Sequence, residues 1–360
     1  MRSLVIFGAQ GAAPAGGYTE QVTVDGARLP CAIVHTPPPA FASDAPEHAH
    51  AVLVQVHALS CNFRDRGFFQ VMKGMPGRRF SPLGSEFAGE VVAVGAAVSD
   101  LRVGDRVMPN HHYTGGQDDG SGAREGVITN QASRELQVVP ASKLIRLPAA
   151  MPFAEAAAFS LGAQTAYSMV RRLDLQPGER ALVTSAASNT SHFLIHALRS
   201  RGAEVTASTS SERFHARIEA LGVSRVLTAD QLSADRGDYH HVLDPFFDLH
   251  LARAVTLLRP FGKYITCGLA AQNAELALQR GGVDLDATKI LGTAIMKNLS
   301  IVGNCIGLRA DLERAVEDYS AGLWAPVLDS TYAGDDVSAF LDRSFNDRTR
   351  FGKVIFRYDN

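Results

Sequence analysis

The chain has 360 residues, 46% of them hydrophobic and 20% charged, and its 35 Lys and Arg against 37 Asp and Glu give a formal net charge of −2. That length and apolar content supply core for two domains, and the near-neutral balance excludes a field that would gather nucleic acid or an anionic membrane, leaving a small-molecule substrate as the expected partner. Four scattered cysteines, Cys31, Cys61, Cys267 and Cys305, contain no C-x-x-C pair, which argues for a reducing compartment, the cytoplasm, and against a disulfide or zinc framework.

The opening "MRSLVIFGAQGAAPAGG" has too short an apolar run for an export signal, and nowhere do about 18 apolar residues follow one another as a membrane span requires. Residues 1–150 read as a β-rich antiparallel domain, because "AVLVQVHAL", "GEVVAVG", "DRVMP" and "ELQVVP" are short β-branched runs punctuated by Gly, Pro and Asp. Two polar, Gly/Pro-rich stretches, 36–50 and 111–126, are expected as surface loops, the second bordering a cleft.

From residue 151 the pattern changes. "FAEAAAFSLGAQTAYSMVRRL" predicts a buried helix pair. After it, "RALVT", "EVTAST", "SRVL", "HHVLDPF", "GKYITCG" and "LSIVGN" alternate with helical stretches such as "SHFLIHALRSRGA" and "HLARAVTLLRP". Such alternation predicts a doubly wound α/β domain over 151–302, with a parallel sheet covered on both faces. Residues 303–360 hold a helix, "ADLERAVEDYSAGL", and a closing strand, "GKVIFRY".

In a doubly wound sheet the ligand crevice lies at the carboxyl ends of the strands, and the first strand-to-helix junction, Thr184–Ser191, is the phosphate candidate. A G-x-G-x-x-G loop is usual there, but this chain reads Ala186, Ala187, Ser188, Asn189, Thr190, Ser191. Every replacement is small or short and polar, so Ser188, Asn189, Thr190 and Ser191 are the candidates to hold a pyrophosphate, and an ordinary capped helix is the alternative. At the end of the second strand, where an acid usually binds the ribose of NAD, stand Ser208, Thr209, Ser210 and Ser211 with Arg213. Hydroxyls and a guanidinium suit a 2′-phosphate, so NADP(H) is the expected cofactor, with Glu212 as the complication. His192 and His196 share a helix face but lack the Glu of H-E-x-x-H and a third ligand; His111, His112, His240 and His241 read as solvated or core residues, so no metal is expected.

Several stretches in order, among them "VLVQVHALSCNFRDRGFF", "PLGSEFAGEVVAVGAAVSDLRVGDRVMP", "LQPGERALVT", "LDPFFD", "LLRPFGKYITCGLA" and "FGKVIF", resemble the medium-chain dehydrogenase/reductase superfamily over about residues 50–355. "CNFRD" and "GSEFAGEV" are most similar to its zinc-free quinone oxidoreductase and enoyl reductase branch. The resemblance implies a GroES-like catalytic domain over 1–150, completed by 303–360, and a Rossmann cofactor domain over 151–302. The family's zinc-binding Cys falls on Asn62, its His on Ser85, and its third ligand within the Cys-free "AFSLGAQ". The resemblance implies that Asn62 faces the nicotinamide and substrate, with Arg64 and Asp65 shaping that wall. It also implies that Thr165, Cys267 and Gly268 approach the nicotinamide, and that Lys353 belongs to the cofactor-binding set. Related reductases carry a Tyr after "NFRD"; here "QVMKGMPGRRF", with Met75 before Pro76, supplies none.

The expected activity is therefore NADPH-dependent, zinc-independent hydride transfer to an activated C=C, with Asn62 donating to the acceptor's carbonyl oxygen. The alternatives are alcohol/ketone oxidoreduction and a non-catalytic binding protein that has lost the glycine-rich loop. Relatives of this kind often pair through the last Rossmann strand, here "LSIVGN", so a homodimer is expected.

Overall fold

A computed structural model describes residues 1–8, 19–75, 80–115, 125–271 and 286–358. Residues 116–124 of the expected loop 111–126, residues 76–79 after Met75, and 9–18 of the opening segment lie outside the described residues. The chain divides into two compact units, Met1–Leu161 with Val327–Asn360, and Gly162–Pro326. These boundaries lie later in the chain than the 150/151 and 302/303 junctions expected from the sequence. Strand Ser300–Gly303 and helix Arg309–Ser320 belong to the second unit, to which they add an edge strand and a covering helix.

In the first unit, strand Ala51–Ser60 is the centre of a seven-stranded sheet. It pairs antiparallel with Glu86–Val94, Leu136–Pro140 and Lys353–Arg357, and the sheet continues to Leu328–Ala333 on one side and to Arg106–Pro109 and Leu144–Arg146 on the other. Its β-branched alternation buries Val52, Val54 and Val56 while Leu53, Gln55 and His57 are half-buried, the period-2 signature of a sheet with one core face. Gly89 sits where a Cβ would run into the Gln55 carbonyl, so the bulged pairing of these two strands needs glycine there. The register sets Ser60 opposite Glu86. Helix Val337–Phe345 places Val337, Phe340, Leu341 and Phe345 into the same core as Phe87 and Phe356. A separate four-stranded sheet, Glu20–Val24, Ala27–His35, Arg2–Phe7 and Phe80–Pro82 in that order, makes the opening residues part of the fold. They are tied in by Tyr358, whose hydroxyl accepts from the Leu4 N–H at 3.0 Å.

In the second unit six parallel strands lie in the order Arg225–Leu227, Glu204–Ser208, Arg180–Val183, Tyr239–Asp244, Leu258–Thr266, Ser300–Gly303. Counted along the chain this is 3-2-1-4-5-6, and the direction of winding changes between Arg180–Val183 and Tyr239–Asp244, which places the crevice at the carboxyl ends of those two strands. Arg180–Val183 and Tyr239–Asp244 are buried at every position but Arg180 and His240, as in strands covered on both faces. The expected helix pair is Phe153–Ala156 followed by Ser160–Arg171, buried along most of its length. His196 stacks on Trp324 with ring centroids 5.3 Å apart, and burial holds its imidazole down at about 4; His192 is buried on the same helix. Among the described residues no helix is long and apolar enough to cross a membrane.

Candidate active site

The first unit gathers its polar side chains around one carboxylate. Glu86 opens its strand fully buried. Its Oε1 accepts from the Leu161 N–H at 2.8 Å and the Ser160 hydroxyl at 3.2 Å; its Oε2 accepts from Lys353 Nζ at 3.0 Å, Asn62 Nδ2 at 3.2 Å and the Ser60 hydroxyl at 3.3 Å. Burial alone would raise this carboxyl, but the Lys353 ammonium beside it and the Leu161 N–H hold it below the usual range, so Glu86 is ionised. Lys353, at the start of the closing strand, is 3% exposed and also donates to Asn62 Oδ1 at 2.6 Å. His111 is buried with Nε2 3.2 Å from the Ser160 hydroxyl, and burial keeps its imidazole neutral, at about 4.

Asn62 is fixed from three sides. Its backbone N–H donates to Asp65 Oδ2 at 2.8 Å, and its amide nitrogen donates to Ser85 Oγ at 3.1 Å as well as to Glu86. Ser85 passes its own hydrogen to Asp65 at 3.0 Å. Burial pushes the Asp65 carboxyl above its ordinary value against the pull of Arg64 and these hydrogen bonds. Arg64 reaches out to Asn130 Oδ1 at 2.8 Å. Asn62, Arg64, Asp65 and Lys353 are thus brought together. Both amide hydrogens of Asn62 are engaged, so donation to a substrate oxygen requires one of them to be released. Glu86 and His111 are the members that the sequence reading did not assign. A carboxylate at the start of the largely apolar run "EFAGEVVAV" was the available signal for Glu86.

In the second unit, loop 184–191 joins Arg180–Val183 to helix Asn189–Arg199. Ser185 adopts the left-handed region at φ 51°, a conformation more usual for glycine. Ser188 is the N-cap: its hydroxyl accepts from the Ser191 N–H at 3.2 Å and donates to Ser191 Oγ at 2.9 Å. The Ser191 hydroxyl turns inward to the Thr184 carbonyl at 2.8 Å, and Ser191 and Asn189 are buried, whereas Ser188 and Thr190 are half-buried. The Ala186 N–H bonds to the Ser208 carbonyl at 2.9 Å, which joins the loop to the end of Glu204–Ser208. Beyond it Ser210 and Arg213 are exposed, Ser211 is half-buried, and Glu212 opens a short 3-10 turn. Cys267 and Gly268 follow directly on Leu258–Thr266; Cys267 is half-buried, and burial with Asp244 nearby pushes its thiol up to about 12. Thr165 is buried on helix Ser160–Arg171.

Asn62 and Ser85, the two positions that the resemblance sets against the family's zinc ligands, offer an amide and a hydroxyl already bonded to each other. Among the described residues no group of three His, Cys, Asp or Glu is placed to hold a metal ion. This donor set does not fit a catalytic zinc.

Residues 48–149 match the alcohol dehydrogenase GroES-like domain. The chain is 30% identical over 329 residues to the human synaptic vesicle membrane protein VAT-1 homolog, covering 84% of this chain and 77% of that protein. It belongs to the medium-chain dehydrogenase/reductase superfamily. Members of this oxidoreductase superfamily use nicotinamide cofactors. The chain is also 25% identical over 324 residues to the acryloyl-coenzyme A reductase of Metallosphaera sedula, covering 84% of this chain and 91% of the other. Among solved structures, a thermostable alcohol dehydrogenase from Pyrobaculum aerophilum superposes with a TM-score of 0.74 at 26% identity, covering 98% of this chain and 99% of that one. The GroES-like and Rossmann architecture expected from the resemblance is the observed one.

Proposed function

We propose that this member of the superfamily is an NADPH-dependent, zinc-independent reductase of activated C=C bonds, taking an enone, enoyl thioester or quinone. The observation that carries the reading is the Asn62–Ser85–Glu86–Lys353 cluster, which fills the family's metal position with a closed hydrogen-bonded network. Carbonyl reduction that leans on a Lewis acid has no ligand set among the described residues, whereas conjugate reduction needs only an oriented acceptor and hydrogen-bond stabilisation of the enolate. The likeness to an acryloyl-coenzyme A reductase points the same way.

When bound, the reduced nicotinamide supplies the hydride. The chain's own residues bind and orient. The start of helix Asn189–Arg199, capped by Ser188, with Thr190 beside it, receives the pyrophosphate. Ser191 and Asn189 shape that turn from within, since the Ser191 hydroxyl is spent on Thr184. Exposed Ser210 and Arg213 with Ser211 receive the 2′-phosphate beyond Glu204–Ser208, whose last residue is Ser208 and not a carboxylate. Asn62, clamped by Lys353 and Asp65, presents the second lone pair of its Oδ1 or, by releasing Ser85, an amide hydrogen.

An alcohol/ketone oxidoreductase is the second reading, favoured by the alcohol dehydrogenase likeness. We also infer a homodimer through the edge strand Ser300–Gly303, because Ile301 and, on helix Ala287–Lys297, Leu291, Ile295 and Met296 are exposed apolar residues of that region. Fluorescence titration with NADPH and NADH tests the cofactor: NADPH binding at least tenfold tighter is expected, and no binding of either at millimolar concentration overturns the reading.

A further inference from the structure

At the centre of the crevice stands a carboxylate that the sequence does not advertise. Asp244 ends the strand Tyr239–Asp244, which has Arg180–Val183 on one side and Leu258–Thr266 on the other. It is fully buried. Its Oδ1 accepts from the Thr184 hydroxyl at 2.6 Å, the Phe246 N–H at 2.9 Å and His250 Nδ1 at 2.9 Å, and its Oδ2 accepts from the Tyr264 hydroxyl at 2.7 Å. Burial alone would raise the carboxyl, but His250, Thr184 and Tyr264 hold it below the usual range.

An ionised carboxylate only accepts, so His250 Nδ1 carries the hydrogen and the tautomer is fixed. The other ring nitrogen, Nε2, lies on the side away from Asp244 and has no partner among the described residues; the side chain is 22% exposed. Thr184 and His250 share one carboxylate oxygen, so the imidazole stands beside the residue that opens the phosphate loop. The neighbouring strand on the other side leads into Cys267 and Gly268. A dinucleotide held by the phosphate loop and reaching those two residues would have to cross the end of Tyr239–Asp244, the strand between them, where His250 lies against Asp244.

We propose that His250, oriented by Asp244, is a further cofactor-binding residue whose Nε2 accepts a hydrogen bond from a hydroxyl of the nicotinamide ribose. The proposal rests on the cofactor reading above. In the neutral ring with Nδ1 protonated, Nε2 is an acceptor, and a ribose hydroxyl is the donor that the dinucleotide offers at that point. Asp244 is then a positioning residue that serves both His250 and the phosphate loop through Thr184.

The test uses the full chain. His250→Asn keeps an amide hydrogen for Asp244 and removes the outer nitrogen. NADPH is expected to bind this variant about tenfold more weakly, the size of one lost hydrogen bond, while adenosine 2′,5′-bisphosphate, which lacks the nicotinamide ribose, binds as to the wild type. Equal NADPH affinity, or equal losses for both ligands, overturns the proposal. A second measurement needs no folded variant: the wild type should lose about tenfold for an NADPH analogue missing one hydroxyl of the nicotinamide ribose, and undiminished affinity for analogues missing either one overturns the proposal. Wild-type protein that binds no dinucleotide sinks the cofactor reading and this proposal together, whereas tight NADPH binding that ignores His250 sinks this proposal alone.

Discussion

Replacing Lys353 by Met strands a charge. The side chains of Lys353 and Glu86 are buried and 3.0 Å apart, and deleting one member of such a pair costs about 3–5 kcal/mol because the other is left uncompensated. Glu86 keeps the Leu161 N–H and the hydroxyls of Ser60 and Ser160, which sets the expected loss near the lower end, about 3 kcal/mol. Adding Glu86→Gln removes the stranded charge, so the double variant should be more stable than the sum of the two single losses by at least about 1 kcal/mol. The pH dependence has a definite sign. The folded-state pKa of Glu86 lies below its ordinary value, so in the wild type its contribution is full above the usual carboxylate range and is lost as pH falls through the depressed folded value. Without the ammonium, burial dominates and the carboxyl rises, so the variant takes up a proton more readily and its deficit relative to wild type shrinks between pH 7 and pH 5. Urea unfolding followed by far-ultraviolet circular dichroism at both pH values measures this. A Lys353→Met protein as stable as wild type at pH 7, or a deficit that grows on acidification, refutes the reasoning.

Restoring glycine at Ser188 and Ser191 removes the N-cap and the anchor to Thr184; NADPH affinity should be equal or weaker, and a large gain in a binding titration would show the natural loop to be a damaged site. Arg213→Ala should weaken NADPH about tenfold and leave NADH unchanged in the same titration; equal effects on both would remove it from 2′-phosphate recognition. Ile295→Asp should convert a sedimenting dimer to monomer, since it puts a charge into the exposed apolar region beside the edge strand; a variant that sediments like wild type places the interface elsewhere.

The Rossmann sheet was legible because short strand-like stretches such as "RALVT" and "HHVLDPF" alternate with helical ones, the pattern of a parallel sheet. The opening strand Arg2–Phe7 and helix Val337–Phe345 were not, although Val337, Phe340, Leu341 and Phe345 follow helical spacing. Their burial depends on partners distant in sequence, such as the contact of Tyr358 with Leu4. The site divides in the same way. Asn62, Asp65 and Lys353 were singled out by resemblance, but the pairing of Asn62 with Lys353 joins residues 291 positions apart, and no local pattern encodes it. Glu86 opens one strand and Asp244 ends another, positions whose burial no local spacing announces, and only the geometry shows that each organises its own cluster.

The claim that this chain reduces activated C=C bonds with NADPH and without zinc is tested most directly by hydride tracing. Protein dialysed against a chelator is mixed with NADPH deuterated at C4 and with an α,β-unsaturated thioester or enone, and the product is analysed by mass spectrometry. Deuterium at the β-carbon of a saturated product is the expected result. NADPH left unoxidised by every enone, enoyl thioester and quinone, or turnover of a ketone that appears only when zinc is added back, would contradict it.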